Sequence, residues 1–364
     1  MTPYVIYGTT TADSLLVSGP VLTEMRRLGW RTRAVCDPAS HLNLLEQYQD
    51  LDVSLIRTSR SIAPGQDLRV LREWVSLLRA ERPDVVIGGS PKAAVLSMHA
   101  ALIARVPTRI FHVWGARWDG HSGAQAALLR TMDRMAAACA TDVVAVSESL
   151  ADLMLSNRIC RPRPTVTSSG GAMGVDLQEY IPTPRSGPPT LGFVGRLTRD
   201  KGVEDLLAVF NRCRAVHPDC RLLVVGPDDV ASPLPPWLGE QLRRPGVERL
   251  GVVDKVAPIM GQFDVLVFPS RREGFPITVT EAAACGVPSV GYDVTGVVDA
   301  ISTGVTGVRV PARDVDALAA AAISLLRTPA GAAMGASARQ HAESHFSREH
   351  VVGRLVDHVE SVRR

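Results

Sequence analysis

Short apolar runs alternate with longer amphipathic segments along the first part of the chain. The runs are YVIY, TRAVC, VSLI, DVVIG, RIFHVW and DVVAV, and the segments between them predict helices over residues 18–28, 67–79, 91–104 and 122–139. Strands that alternate with helices are typical of a parallel sheet covered by helices on both faces. The pattern therefore predicts a doubly wound α/β domain.

The alternation stops at residues 161–189, a stretch rich in Pro, Gly, Ser and Thr that is typical of an interdomain connection. It then restarts with the runs TLGFVG, RLLVVG, VERLG, DVLVFPS, VPSVGY and GVRV. Helices are predicted over residues 203–216, 255–262, 277–285, 314–326, 330–346 and 349–362. The chain thus contains two α/β domains in series, each with a parallel sheet.

The composition is that of an ordinary globular protein, with 364 residues, 46% apolar and 21% charged. A net charge of +3 without blocks of like charge argues against a nucleic-acid partner. Six cysteines without a C-x-x-C pair favour a reducing cytoplasm. No signal peptide or membrane-spanning run is apparent, so we expect a cytoplasmic protein. The first domain is locally basic at Arg57, Arg60, Arg69 and Arg72. Peripheral contact with the inner membrane face is therefore a second expectation.

A cationic loop follows the first strand of the second domain, in GFVGRLTRDKGVEDLL (192–207). The predicted strand ends at Val194 and a helix begins near Gly202, so Arg196 and Lys201 lie at the carboxyl edge of the sheet, where open parallel sheets bind ligands. Two cations beside a helix N-terminus suit a pyrophosphate. The alternative is that both side chains only cap and solubilise the loop. The stretch lacks the G-x-G-x-x-G fingerprint of dehydrogenases.

Two glutamates flank a predicted helix start in RREGFPITVTEAAACG (271–286). The preceding run DVLVFPS predicts a buried parallel strand, which brings this stretch to the same edge as Arg196. Glu273 then faces the ligand site, and Glu281 lies about one turn inside the helix. A carboxylate can accept two hydrogen bonds from a vicinal diol, so one glutamate suits a ribose and the other a sugar ring. The alternative is a solvated Glu273 and a Glu281 that offsets the helix dipole.

These two stretches together resemble the retaining glycosyltransferases of family four, which have the GT-B fold. The likeness rests on E-G-F-P followed by E-A-A-A-x-G, and on FVGRLTRDKGVEDLL as a phosphate-binding segment. SPKAA, RMAAACATDVVAVSESL and GGAMGVDLQEY are similar to the branch of bacterial polysaccharide and lipid-linked sugar transferases. The resemblance implies two Rossmann-like domains facing a cleft: an acceptor-binding domain of residues 1–183 plus 349–364, whose final helix crosses back, and a nucleotide-sugar-binding domain of residues 184–348.

The resemblance also implies a role for each site residue. The donor would be a nucleotide sugar of the UDP or GDP type, and a UDP-linked GlcNAc, GalNAc or similar hexose is the first expectation. Arg196 and Lys201 would neutralise its diphosphate, Glu273 would bind the sugar, and Glu281 the ribose. The other implied donor contacts are Gly195, Val253, Gly274, Phe275, Pro276 and Ile277. The acceptor would be a glycan, a lipid-linked sugar or a small molecule.

Enzymes of this family are described as transferring the sugar on one face, with the leaving diphosphate helping to deprotonate the acceptor. Positioning and charge stabilisation are then the protein's main task, which makes Arg196, Lys201 and Glu273 the catalytic candidates. No cofactor and no metal is expected. The one D-x-D, Asp314 and Asp316, lies at a predicted helix start, where capping is the expected role.

The sequence departs from the family pattern in the first domain. Many relatives carry His before Gly at the end of the strand that here reads RIFHVWG, and this chain has Trp114 there. His112 lies on the same side of the strand by alternation and is a further catalytic candidate, with a packed histidine as the alternative. Trp114 and Lys92, at a helix start, are candidate acceptor contacts; a solvated Lys92 is the alternative.

Two other functions are compatible with the sequence. A sugar-nucleotide 2-epimerase on the same fold would share the donor site, but it needs acid and base groups around the sugar C2 that the sequence does not supply. A non-catalytic nucleotide-sugar-binding subunit is the other alternative, since Trp114 occupies the histidine position.

Overall fold

A computed structural model describes residues 2–37, 48, 50–58, 63–89, 91–229 and 233–364, so Arg60 lies outside the described residues. Internal contacts divide the chain into two compact units. Unit 1 comprises Met1–Met173 and Arg348–Arg364, and unit 2 comprises Gly174–Ser347.

The first boundary lies about ten residues earlier than predicted, at 173/174 instead of 183/184, and the second lies at 347/348 instead of 348/349. The physical reason is that the connection is held by unit 2. The backbone N–H of Val175 donates to the carbonyl of Phe346 at 2.7 Å, and the Thr183 hydroxyl donates to the carbonyl of Gly261 at 3.1 Å. Composition marked this segment as a linker, whereas its hydrogen bonds make it part of the second unit.

Unit 1 contains one parallel six-stranded sheet of the order β3-β2-β1-β4-β5-β6. Its strands are β1 Tyr4–Gly8, β2 Arg31–Cys36, β3 Asp52–Leu55, β4 Val85–Gly89, β5 Thr108–Val113 and β6 Asp142–Ala145. Its helices, in chain order, begin with α1 Leu15–Arg27, α2 Pro64–Glu81, α3 Pro91–Ile103, α4 Gly123–Cys139 and α5 Glu148–Ser156, and a 3₁₀ turn, Ala12–Ser14, precedes α1. The predicted strands of this unit are confirmed. Helix α5 was not predicted, although Ser147 caps it by accepting the backbone N–H of Leu150.

Unit 2 repeats the architecture with the strand order β12-β11-β10-β7-β8-β9. Its strands are β7 Thr190–Val194, β8 Arg221–Val225, β9 Val247–Gly251, β10 Val265–Phe268, β11 Ser289–Tyr292 and β12 Gly307–Val310. Its helices are α6 Val203–Val216, α7 Pro236–Gln241, α8 Ala257–Met260, α9 Ile277–Ala284, α10 Val297–Ala300, α11 Val315–Leu325 and α12 Pro329–His341. Asp314 caps α11 by accepting the N–H of Ala317 at 2.9 Å, which confirms its capping role.

The C-terminal segment differs in detail from its predicted helices. The predicted helix over 330–346 divides into α12 and a π-helical turn, Ala342–Phe346. The last helix, α13 Arg348–Val362, belongs to unit 1, where Val352, Leu355, Val356 and Val359 join the core beneath α1 and the sheet. This assignment confirms that the final helix returns to the first unit.

The central strands of both sheets are buried on their two faces, which explains their near-continuous apolar runs. The four residues of β10 are all buried, as are the five of β1. Among the described residues, no one helix has the length and apolarity to cross a membrane. The segments Val315–Leu325 and Pro329–Phe346 reach that length and apolarity only when they are taken together, and they are bent by 92° relative to each other.

Candidate functional site

The strand order of unit 2 reverses at β7, which pairs with β8 on one side and with β10 on the other. At such a reversal the loops from the two neighbouring strands leave the sheet in opposite directions and open a crevice at the carboxyl edge. The loop after β7 carries Arg196 and Lys201, and the loop after β10 carries Glu273. Both motifs that the sequence singled out therefore lie at the topological switch point of one sheet.

The two loops are joined by backbone and side-chain contacts. The N–H of Arg271 donates to the carbonyl of Asp200 at 2.8 Å, and the Arg272 guanidinium lies 3.1 Å from the Asp200 carboxylate. Gly202 permits this approach: it has φ +71°, and a Cβ at this position would stand 2.1 Å from the carbonyl oxygen of Pro269. Any other residue would push the loops apart.

Lys201 and Glu273 meet between these loops. Lys201 Nζ donates to Glu273 Oε1, and the Ser270 hydroxyl donates to the same oxygen at 2.7 Å. The Lys201 and Glu273 side chains are only 20% and 13% exposed, and Nζ also lies 5.8 Å from the centroid of the Phe268 ring. Glu273 is therefore a half-buried, paired carboxylate, which contradicts the alternative of a solvated one. Ser270 was not assigned from the sequence, although it is the last residue of DVLVFPS and directly precedes the motif.

Arg196 projects from the same loop but is more open, with 58% of its side chain exposed. Its Nη1 donates to Asp229 Oδ2 at 2.7 Å. Gly195, before it, has φ +155° and donates its N–H to the carbonyl of Val225 at 2.9 Å. Asp229 was missed by sequence reasoning; its position just after the predicted strand RLLVVG, at the same sheet edge, was the available signal.

Glu281 is the fifth residue of α9, as expected. The hydroxyl of Tyr180 donates to Glu281 Oε1 at 2.9 Å. Burial, followed by the neighbouring Glu281 carboxylate, raises the pKa of Tyr180, so the phenol stays protonated and remains a donor. Tyr180 comes from the segment that composition marked as a linker, which is why sequence reasoning missed it.

The remaining predicted donor contacts surround the start of α9. Gly274, Phe275 and Pro276 are buried, and Ile277 is half-buried. The ring of Phe275 packs edge-to-face against Phe346, with centroids 6.0 Å apart. Pro276 is the cap residue before the helix, which begins at Ile277 as predicted. The first N–H groups of a helix have no intrahelical partner and can meet an anion.

Val253, another predicted donor contact, is half-buried and follows β9, at the outer end of the same sheet. With it, the ten donor contacts predicted from the sequence all belong to unit 2. Among the described residues, no group of three or more His, Cys, Asp and Glu side chains is arranged to hold a metal ion.

In unit 1, His112 is buried near the carboxyl end of β5, with 2% of its surface exposed. Trp114 Nε1 donates to His112 Nδ1 at 3.2 Å, and the Tyr7 hydroxyl lies 2.6 Å from the same nitrogen. An Nδ1 that accepts the indole N–H carries no proton, so Tyr7 also donates to it and the imidazole is neutral. Burial lowers the pKa of His112 to about 3. The packed histidine that the sequence left as an alternative is therefore what the structure contains, and a role of His112 in catalysis stays a prediction.

Trp114 is half-buried over this histidine, and Gly89 makes room for it: a Cβ on Gly89 would stand 2.4 Å from the indole. Lys92 is also not the solvated lysine considered as an alternative. Its side chain is 5% exposed, and its Nζ lies 2.6 Å from Asp67 Oδ1. The structure brings Tyr7, His112 and Trp114 together, and it ties Lys92 to α2.

Comparison with known families and proteins finds two family models that match successive parts of the chain. A model described as "Glycosyl transferase 4-like domain" matches residues 19–170, and one described as "Glycosyl transferases group 1" matches residues 188–328. The first match lies in unit 1 and the second in unit 2.

Two named relatives are similar in sequence. The chain is 29% identical over 320 residues to the capsular polysaccharide biosynthesis glycosyltransferase CapM of Staphylococcus aureus. This match covers 84% of each protein. It is 38% identical over 170 residues to the glycogen synthase of Mycobacterium tuberculosis, a match that covers 45% of this chain and only 40% of that protein.

A solved structure of Anabaena HepE in complex with UDP and glucose has the same fold. It superposes with a TM-score of 0.82 over 99% of this chain and 100% of HepE, at 19% sequence identity. The sheet orders and the switch-point loops described above thus belong to a known architecture.

Proposed function

Because this chain belongs to the family-four glycosyltransferases and has the GT-B fold, we propose that it transfers a hexose from a UDP-linked donor, with retention of configuration, to an acceptor hydroxyl in glycan biosynthesis. The observation that carries the proposal is the contact between Lys201 and Glu273 at the switch point of unit 2. Arg196 lies in the same loop as Lys201, and Glu281 lies in the helix that follows the loop of Glu273. Cations and paired carboxylates at one crevice match the two halves of a nucleotide sugar, its diphosphate and its diols.

We assign the diphosphate to Arg196 and Lys201. The half-buried Lys201 is the stronger contributor, since a charge partly removed from water interacts more strongly with a phosphate. Its ion pair with Glu273 keeps the ammonium in place before the donor binds. Glu273 then lies next to the cation that holds the diphosphate, where the first sugar hydroxyls of a donor would reach it. Two side-chain cations make a metal ion unnecessary in this proposal.

Glu281 is assigned to the ribose. Its Oε1 accepts from Tyr180 at 2.9 Å, which orients the carboxylate toward a diol. The backbone N–H groups of Gly274, Phe275 and Ile277, at the start of α9, would meet the sugar and the phosphate. Val253 would border the base, and UDP is favoured over GDP because HepE, with the same fold, is described in complex with UDP and glucose.

In the proposed reaction the acceptor oxygen forms a bond to the donor C1 while the bond from C1 to the diphosphate oxygen breaks. The acceptor proton passes to the leaving diphosphate on the same face, and the nucleoside diphosphate leaves. Lys201 and Arg196 stabilise the negative charge that grows on the leaving group. Stabilisation of developing charge by fixed charges is usually the largest single contribution to catalysis.

The acceptor is assigned to unit 1, where Trp114 and Lys92 remain the candidate contacts. The similarity to CapM, named for capsular polysaccharide biosynthesis, favours a glycan or a lipid-linked glycan over an unrelated small molecule. We propose a cytoplasmic location with access to such acceptors at a membrane surface.

The proposal is tested by incubating the protein with a panel of UDP- and GDP-sugars and glycan or lipid-linked acceptors, and measuring nucleoside diphosphate release and product mass. The Lys201→Ala variant should lose at least about 100-fold in kcat/KM, whereas Arg199→Ala, an exposed arginine in the same loop, controls for the loss of a charge. An isomerised donor formed without any acceptor would instead indicate an epimerase. Turnover by Lys201→Ala at the wild-type rate would contradict the site assignment.

A further inference from the structure

Arg196 is the most exposed of the charged side chains assigned to the donor, and its flexibility is a difficulty for catalysis. A long side chain that is 58% exposed samples many rotamers, and ordering it against a phosphate costs conformational entropy. Fixed charges stabilise a developing anion well only when they are held in place beforehand. Some group must therefore orient this guanidinium.

The backbone around Arg196 is rigid. Leu197, next in the chain, is fully buried and donates its N–H to the carbonyl of Pro227 at 2.9 Å. Leu197 and Asp228 also form a parallel β-bridge between the loops after β7 and β8. Gly226 has φ +131°, and a Cβ there would stand 2.1 Å from the carbonyl oxygen of Gly195. The two loops are thus fitted against each other, so the backbone that carries Arg196 is held in place.

Asp229 projects from the second of these loops. Its side chain is 16% exposed, and its Oδ2 lies 2.7 Å from Arg196 Nη1. A guanidinium has five N–H donors in a planar fork. Because this contact uses Nη1, the rest of the fork remains available for phosphate oxygens, as the high exposure of Arg196 indicates. A carboxylate that competed with the donor would instead cover the fork by a bidentate contact.

We propose that Asp229 is a positioning residue for the transfer reaction: it orients the Arg196 guanidinium toward the donor diphosphate. The inference rests on the proposed function, since it concerns the same donor site. Asp229 lies 33 positions away from Arg196 in the sequence.

The test is the affinity of UDP, or of GDP if UDP does not bind, measured by isothermal titration calorimetry. Five proteins are compared: the wild type, Asp229→Ala, Arg196→Ala, the double variant and Asp228→Ala. Asp228 is the matched control, because it is the adjacent aspartate, is 67% exposed and pairs with Arg249 at 3.0 Å. Asp229→Asn, which keeps the shape and one acceptor oxygen, replaces Asp229→Ala if the latter fails to fold.

If Asp229 acts through Arg196, Asp229→Ala weakens the nucleotide by about 5- to 10-fold in the wild-type background and has no further effect in the Arg196→Ala background. Asp228→Ala should stay within about 2-fold of the wild type. The inference is overturned if Asp229→Ala tightens binding, leaves it unchanged, or weakens it equally in both backgrounds. If the wild type binds neither nucleotide, the proposed function itself fails, and that result appears before any variant is compared.

Discussion

At the scale of residues, the cations assigned to the donor diphosphate are already paired with carboxylates. Lys201 pairs with Glu273 and Arg196 with Asp229, whereas Glu281 accepts a phenol hydrogen bond from Tyr180. These pairs hold each functional group before a ligand arrives. The residues that orient others are therefore as testable as the residues that touch the ligand.

Tyr180→Phe removes one hydroxyl and leaves the aromatic packing. Since a hydrogen bond to a charged group contributes about 1.5–3 kcal/mol, we expect the donor KM to rise by at least about 10-fold with a smaller change in kcat. Tyr4→Phe is the matched control, because it also removes a phenol that donates to a carboxylate, that of Glu81 at 3.2 Å, but in unit 1. A donor KM that is the same in Tyr180→Phe and Tyr4→Phe would refute the role of Tyr180.

Asp133, on α4, is a buried carboxyl that accepts the Trp118 indole N–H at 2.8 Å and so fixes the loop after β5. Burial raises the pKa of Asp133 from 3.8 to about 6. Because the folded value exceeds the unfolded one, the stability from this group is complete below about pH 4 and is lost as the pH rises through about 6.

Asp133→Asn keeps an acceptor for Trp118 and cannot ionise. We therefore expect the variant to gain stability relative to the wild type as the pH rises from 4 to 8, on the order of 2–3 kcal/mol at the upper end. Thermal melting of both proteins across this pH range measures the difference. A difference that stays constant with pH would contradict the raised pKa.

At the scale of elements, the site depends on two loops that a single glycine allows to touch. Gly202→Ala combines a left-handed backbone with a Cβ 2.1 Å from the Pro269 carbonyl oxygen, and we expect a loss of about 3 kcal/mol or more in unfolding free energy. Gly304→Ala is the control: φ is +81° there, but nothing lies within 4 Å of the added Cβ, so about 1–2 kcal/mol is expected. Urea unfolding measures both. An equal loss of unfolding free energy in Gly202→Ala and Gly304→Ala would show that the contact with Pro269 does not add to the cost of a side chain at position 202.

The elements were largely predictable, because parallel strands buried on both faces leave continuous apolar runs such as DVLVFPS. The location of the two motifs assigned to the donor was predictable for a related reason: a charged residue directly after such a run must lie at the carboxyl edge of the sheet. Asp229 and Tyr180 were not, because their partners lie 33 and 101 positions away, and only the packed fold decides those contacts. The burial of His112 and Lys92 was unpredictable for the same reason. Alternation along a strand predicts the face of the sheet on which the His112 side chain lies, but not which residues pack over it.

At the scale of the whole molecule, the chain consists of two parallel-sheet units, and its last helix, α13, returns to complete the first. The residues assigned to the donor belong to unit 2, and those assigned to the acceptor belong to unit 1. This separation predicts that nucleotide binding and acceptor binding can be disrupted independently by substitutions in different units.

Hydrogen–deuterium exchange of the intact protein, with and without saturating UDP or GDP, tests the location of the donor site most directly. The account predicts slower amide exchange in peptides covering residues 195–202 and 271–281, at the carboxyl edge of the unit 2 sheet, and unchanged exchange in residues 329–339 of α12. Protection confined to other parts of the chain, or no protection by either nucleotide, would contradict the assignment of the donor to this switch point.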